Sequence, residues 1–171
     1  MKGAGIMKET YVAGGCFWGV EEYYKRLKGI ETTTVGYVNG IKDDLSYEEV
    51  RSQQYEAIEC VYLTYDEKQI SLEKILEHLF RFIDPTSLDK QDVDEGKSYR
   101  VGTYYINDEQ AKIMNDFVDK QRPNYDKEVV FEVMPMVRFT NAEDYHQDYL
   151  MKNPTGFCHV DFKKINDDEK K

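Results

Sequence analysis

The chain has 171 residues, 40% of them hydrophobic, and carries 33 acidic against 23 basic side chains for a formal net charge of −10. That length suits one packed domain and is short for two. The acidic balance repels a phosphate backbone, which argues against a nucleic-acid partner, and no run approaches the roughly 20 consecutive apolar residues of a membrane helix.

Thr10 to Ala13 form a short β-prone run leading into glycines, after which Phe17, Val20, Tyr24 and Leu27 recur at helical spacing up to Gly29. Thr32 to Val38 are β-branched and aromatic, and end at the turn pair Asn39-Gly40. The polar stretch IKDDLSYEEVRSQQ then precedes a third strand, Ala57 to Tyr65, apolar enough to be buried on both faces. Ser71 caps a helix whose Leu72, Ile75, Leu76, Leu79, Phe80 and Ile83 make one apolar stripe closed by Asp84-Pro85. Tyr99 to Ile106 read as strand, and Asn107 opens a helix carrying Ala111, Met114, Phe117 and Val118 up to Pro123. Val129 to Val137 supply another strand, with Pro135 pointing to an edge or a bulge. AEDYHQDYLMKNP is a short helix or turn series. The N-terminus (about 1–8) and the charged tail (about 163–171) are expected to fray.

Neither an internal repeat nor a linker divides the chain, so residues 1–171 are expected to form a single domain. The order βαββαβ predicts an α+β fold. It would be a two-layer sandwich with a ferredoxin-like split βαβ core, helices covering one face of a mainly antiparallel sheet.

In GGCFWG, residues 14–19, Cys16 falls at the mouth of a helix, where unpaired N–H groups and the positive end of the macrodipole favour a thiolate. An isolated cysteine is more often buried and inert, but glycines on both sides of this segment let a ligand approach the backbone. Phe17 and Trp18 either pack in the core or line a site; neighbours on a helix point in different directions, so both cannot bury equally well. The turn lacks the lysine and the G-x-G-x-x-G spacing of phosphate loops. Three cysteines, Cys16, Cys60 and Cys158, and three histidines, His78, His146 and His159, have no close C-x-x-C spacing, which argues against zinc.

GGCFWG resembles the active-site motif of the A-type peptide methionine sulfoxide reductases. GYVNG around Tyr37, YEEV at 47–50, DEGKSYR at 94–100 and AEDYHQDYLMKNPTGFC at 142–158 resemble further motifs of that family, in its order and across nearly the whole chain. The resemblance implies a catalytic domain that needs no metal or organic cofactor. In it the Cys16 thiolate attacks the sulfur of methionine (S)-sulfoxide, free or in proteins, releasing methionine and leaving a sulfenic acid. The oxygen leaves only if protonated, so an acid is required. By the family's register that acid is Glu59, twelve residues after Tyr47, with Glu56 as rival if a deletion intervenes. Here the sequence departs from the family pattern, with Ala57-Ile58 where histidine and alanine are usual and Arg51 in place of a common cysteine. Carried over in the same way, Tyr47, Asp94 and Tyr99 surround the sulfoxide oxygen, and Phe17 and Trp18 hold the methyl group. Cys158 is then the resolving thiol, forming a Cys16–Cys158 disulfide that an external dithiol such as thioredoxin reduces. With no later cysteine, the relay is expected to stop at one disulfide.

Two other readings remain open: a cysteine hydrolase using Cys16 with His146 as base, and a non-catalytic ferredoxin-like binding module. The first residues carry no export pattern, so a cytoplasmic, monomeric protein is expected, with no nucleic-acid or membrane partner.

Overall fold

A computed structural model describes residues 7–156 and 159–171. Strand β1 (Met7–Gly14) runs into helix α1 (Phe17–Lys25), then β2 (Ile30–Val38), α2 (Tyr47–Arg51), β3 (Ile58–Asp66) and α3 (Leu72–Phe82). A two-residue hairpin follows, β4 (Lys90–Gln91) and β5 (Asp94–Glu95), then β6 (Val101–Tyr105), α4 (Asp108–Gln121), β7 (Glu132–Pro135), β8 (Phe139–Asn141) and α5 (Tyr149–Lys152). Among the described residues, six strands form one sheet in the order β7-β6-β1-β3-β2-β8.

Helix starts follow their capping residues. The Ser71 hydroxyl accepts from the Lys74 N–H at 3.1 Å and opens α3, and Asn107 does the same for α4 through Gln110 at 2.8 Å. The apolar stripe of α3 buries Leu72, Ile75, Leu76 and Leu79 against the main core, which also takes in Val12, Val35, Val61 and Leu63 from the sheet. The other sheet face is closed by a second cluster, Tyr11, Ala13, Val38, Ile58, Cys60 and Tyr104, with Phe139 of β8 packed against it. Strand period two therefore sorts β3 by parity: Glu59, Val61 and Leu63 face the helices, while Ile58 and Cys60 face away.

The fold is α+β, with a mixed sheet. Pairings β1/β3, β1/β6, β2/β3 and β2/β8 are antiparallel, whereas β7 lies parallel to β6. Pro135 sits on the outermost strand, where a missing N–H leaves no ladder bond unmade. Several boundaries differ from the sequence reading. The polar stretch contains α2, begun by a capping box in which Ser46 and Glu49 bond reciprocally. Tyr99 lies in a 3-10 turn (Lys97–Tyr99) ahead of β6 and not in the strand. The tail expected to fray is held: Ile165 is buried, Arg81 clasps Glu169 through two bonds of 2.7 and 3.0 Å, and the Lys28 N–H donates to the Glu169 carbonyl at 2.9 Å. Charge misled there because its partners lie on α3 and just beyond α1, far away in the chain. At the other end, residues 1–6 lie outside the described residues, and Met7 and Lys8 already pair with Asp66 and Tyr65 of β3.

Candidate active site

Cys16 caps α1, and its neighbours create the turn. Gly15 has φ of +88°, and a Cβ there would lie 2.8 Å from the Cβ of Gln91, so only glycine fits. The first N–H of α1, on Phe17, donates to Glu59 Oε1 at 3.2 Å. Parity brings this about, since Glu59 leaves the sheet on the helical side, under the start of α1. Glu59 is 3% exposed, and burial pushes its carboxyl up to about 8 despite the Phe17 N–H, with the nearby Asp94 charge adding to the rise. It therefore holds a proton at neutral pH. Glu56 is exposed, has φ of +58° and precedes β3, so it shares neither the strand nor the burial that suits an acid.

Two phenols are coupled electrostatically to this acid. Tyr47 is the first residue of α2; burial, then the Glu59 and Cys16 charges, push its hydroxyl up to about 12. Tyr99 is likewise held well above the usual range by burial first, then by Glu59, Tyr47, Asp94 and Cys16. Both hydroxyls remain protonated donors within electrostatic reach of Glu59 and of Cys16. Asp94, half-buried on β5, points a buried Oδ2 that has no hydrogen-bond partner among the described residues, and burial raises its carboxyl. Gln53, just beyond α2, ties the Tyr99 turn down through Ser98, accepting from its N–H and donating to its hydroxyl, both at 2.9 Å.

The aromatic side is assembled around a residue to which the sequence reading gave no reductase role. Trp18 is half-buried, stacks on Tyr149 at 3.8 Å between ring centres, and donates its indole N–H to His146 Nδ1 at 3.0 Å. Phe17 is buried, 5.3 Å from the His146 ring and 5.7 Å from Tyr37. Tyr47 lies 4.4 Å from the same imidazole. Burial lowers the His146 pKa, so the ring is neutral, and because Nδ1 accepts from the indole its proton sits on Nε2. That leaves it a donor and no free base, which removes the partner the hydrolase reading needs. Glu143 supports both walls, accepting from the Tyr37 hydroxyl and from the Tyr47 N–H, each at 3.0 Å. The sequence carried one signal for His146: an indole N–H has no acceptor capacity and, when buried, seeks one.

Cys60 is fully buried on the sheet face opposite Glu59, and burial pushes its thiol well up, which makes it a packing residue. Cys158, the expected resolving thiol, lies outside the described residues. His78 is buried on α3 and bonds the Tyr23 hydroxyl at 2.7 Å. Among the described residues no three His, Cys, Asp or Glu side chains group as metal ligands, and no helix is long and apolar enough to cross a membrane.

Comparison with known proteins places this geometry. The family model described as peptide methionine sulfoxide reductase matches residues 8–171. A protein of Clostridium botulinum named peptide methionine sulfoxide reductase MsrA is 49% identical over 154 residues, covering 90% of this chain and 98% of its own. Among solved structures, reduced Mxr1 of Saccharomyces cerevisiae superposes with a TM-score of 0.82 at 32% identity, over 89% of this chain and 88% of that one. Methionine sulfoxide reductase A of Corynebacterium diphtheriae superposes with a TM-score of 0.86 at 28% identity, over 92% and 79%. Mxr1 in complex with Trx2 matches over 84% of each chain, with a TM-score of 0.57, and at 22% identity it is alike in fold alone.

Proposed function

The chain belongs to the peptide methionine sulfoxide reductase family, and from that premise we propose that it reduces methionine sulfoxide to methionine with Cys16 as nucleophile and Glu59 as acid. The observation that carries this reading is the Glu59 carboxyl, buried, protonated near neutrality and bonded to the N–H next to Cys16. The Cys16 thiolate attacks the sulfur of the sulfoxide, and the oxygen passes from that sulfur to Cys16 as the bond between substrate sulfur and oxygen breaks. Glu59 supplies the proton that lets the oxygen leave substrate sulfur. The substrate sulfur gains two electrons and the Cys16 sulfur loses them, giving methionine and a sulfenic acid. Tyr47 and Tyr99 donate to the oxygen, with Asp94 beside them, while Phe17 and Trp18 receive the methyl end. A methyl sulfoxide has one polar and one apolar pole, and this site has donors on one side and aromatic rings on the other.

Cys158 then condenses with the sulfenic acid, releasing water and forming a Cys16–Cys158 disulfide. A dithiol protein of the thioredoxin class returns both to thiols, a role in keeping with the complex of yeast Mxr1 with Trx2. No metal or organic cofactor takes part, and the preferred epimer is S at sulfur. We read the strands β1, β2, β3 and β6 with α1 and α3 as the ferredoxin-like split βαβ core of one catalytic domain, supported by the order β6-β1-β3-β2 within the sheet. We take the enzyme to act in the cytoplasm as a monomer.

Resolved S and R epimers of a methionine sulfoxide peptide, incubated with the enzyme and dithiothreitol, test the reading. Methionine should form from the S epimer, and none should form with Cys16→Ser. Release of acid from esters without any sulfoxide reduction would favour the hydrolase instead.

A further inference from the structure

Helix α2, which carries Tyr47, ends in an unusual backbone. Gln53 has φ of +64°, and its N–H donates to the Val50 carbonyl at 3.0 Å, the left-handed helix end that glycine ordinarily supplies. A residue with a side chain is strained there. Here the side chain grips buried Ser98 with both ends of its amide: Oε1 accepts from the Ser98 N–H and Nε2 donates to Ser98 Oγ, each at 2.9 Å. An N–H only donates, so the amide has one orientation. The facing turn is shaped to receive it, since Gly96 has φ of +139° and a Cβ on it would stand 2.7 Å from Gln53 Cδ.

Ser98 belongs to the 3-10 turn Lys97–Tyr99, so these bonds join the two segments that carry the phenols. Helix α2 is fixed at its other end by the Ser46–Glu49 capping box and by Glu143, which accepts from the Tyr47 N–H at 3.0 Å. The turn is tied to the β4–β5 hairpin by the Gly96 N–H, which donates to the Asp89 carbonyl at 2.7 Å, and to the sheet through Val101, which pairs with Gly14. Toward α2 it is joined by Gln53 and by Arg100, whose guanidinium donates to the Glu56 carbonyl at 3.2 Å. Tyr99 is thus bracketed, with the residue before it and the residue after it both bonded to the connector that leaves α2.

We propose that Gln53 is a positioning residue for the reduction step, a latch that holds the Tyr99 turn against α2 so that the Tyr99 hydroxyl meets the same sulfoxide oxygen as Tyr47. The proposal rests on the reductase reading, in which both phenols donate to the oxygen as it leaves substrate sulfur. That oxygen gathers negative charge while its bond to sulfur breaks, and a donor stabilises it most when its direction is fixed beforehand. A hydroxyl on a loosened turn has to be reoriented during the reaction, which slows the step without removing the donor.

Gln53→Gly removes the latch and at the same time relieves the left-handed backbone, so the variant keeps its fold. Gln53→Glu keeps both bonds, its carboxylate accepting from the Ser98 N–H and from the Ser98 hydroxyl. Reduced wild-type enzyme, these two variants, Tyr99→Phe and the double variant Gln53→Gly with Tyr99→Phe are each mixed with methionine sulfoxide peptide. Methionine released in a single turnover is followed by rapid quench, and urea midpoints are measured in parallel. Release should slow about tenfold in Gln53→Gly while its urea midpoint stays near that of wild type, and Gln53→Glu should recover most of the rate. On top of Tyr99→Phe, Gln53→Gly should cost nothing further, because the donor it positions is gone. The wild-type rate in Gln53→Gly overturns the proposal, as does a full tenfold loss added to Tyr99→Phe, or a Gln53→Glu variant as slow as Gln53→Gly. If Tyr99→Phe alone works at the wild-type rate, the proposal falls with the role of that phenol. If wild-type enzyme releases no methionine, the reductase reading itself fails.

Discussion

The Phe17 N–H donates to Glu59 Oε1 at 3.2 Å, across 42 positions of sequence, and so fastens a buried acid to the residue beside the nucleophile. The bond uses the first orphan donor of α1, which would otherwise face the site unpaired. It also ties the position of the acid to that of the helix that carries Cys16.

Glu59→Gln keeps the shape and the acceptor for Phe17 but cannot give a proton. Single-turnover methionine formation should fall by about 100-fold or more, the usual scale for a lost general acid. Glu56→Gln, changed at an exposed position outside β3, should stay within about twofold of wild type. Rapid-quench assay of both variants decides between them, and equal loss in Glu56→Gln alone would reverse the assignment.

With its carboxyl raised to about 8, Glu59 should impose a limb on the pH profile of the reduction step, the rate falling as pH rises through about 8. The same shift links to stability. Between the ordinary 4.5 and about 8 the folded protein keeps a proton that the unfolded chain has lost, so wild-type stability declines as pH rises across that window. Glu59→Gln lacks both features. Urea midpoints at pH 5 and pH 8.5 should converge in the variant, with a ceiling on the wild-type difference of roughly 5 kcal/mol.

Trp18→Phe removes the indole N–H and leaves His146 Nδ1 a buried acceptor without its donor. The stack on Tyr149 survives in part. Steady-state assays should show KM rising about tenfold with a smaller change in kcat, since such an orphan costs about 1–3 kcal/mol in binding-site order.

Cys60 faces the sheet side away from Glu59 and has its thiol pushed up by burial. Iodoacetamide applied to native reduced protein should modify Cys16 and spare Cys60, and Cys60→Ala should retain full turnover with dithiothreitol. A Cys16–Cys60 bridge in substrate-treated protein, mapped by peptide mass, would contradict this placement.

Arg81→Ala should release the tail. Loss of two charge-assisted bonds to Glu169 costs about 1–3 kcal/mol, readable as a lower Tm and as faster proteolysis within residues 163–171. Arg81 holds the Glu169 carboxyl down at about 2, so the clasp is intact above the ordinary carboxyl range near 4.5 and weakens as pH falls toward about 2.

What could be read from the chain alone was whatever a short window contains. The turn from β1 into α1 shows in its glycines, α3 in its stripe, and β3 in its apolar run buried on both faces, because periodicity and capping are local properties of the backbone. Ser46 and Glu49 spelled a capping box for α2 within four residues, a legible signal that the surrounding polarity obscured. Tertiary structure alone decided the rest. Trp18 and His146 meet across 128 positions, Tyr47 and Glu143 across 96, and Arg81 and Glu169 across 88. The parallel seat of β7, the cover of β8 and the docking of the charged tail likewise depend on partners brought near only by folding. A side chain's chemistry is local to its residue, but its burial, its hydrogen-bond partner and hence its protonation state belong to the packed whole.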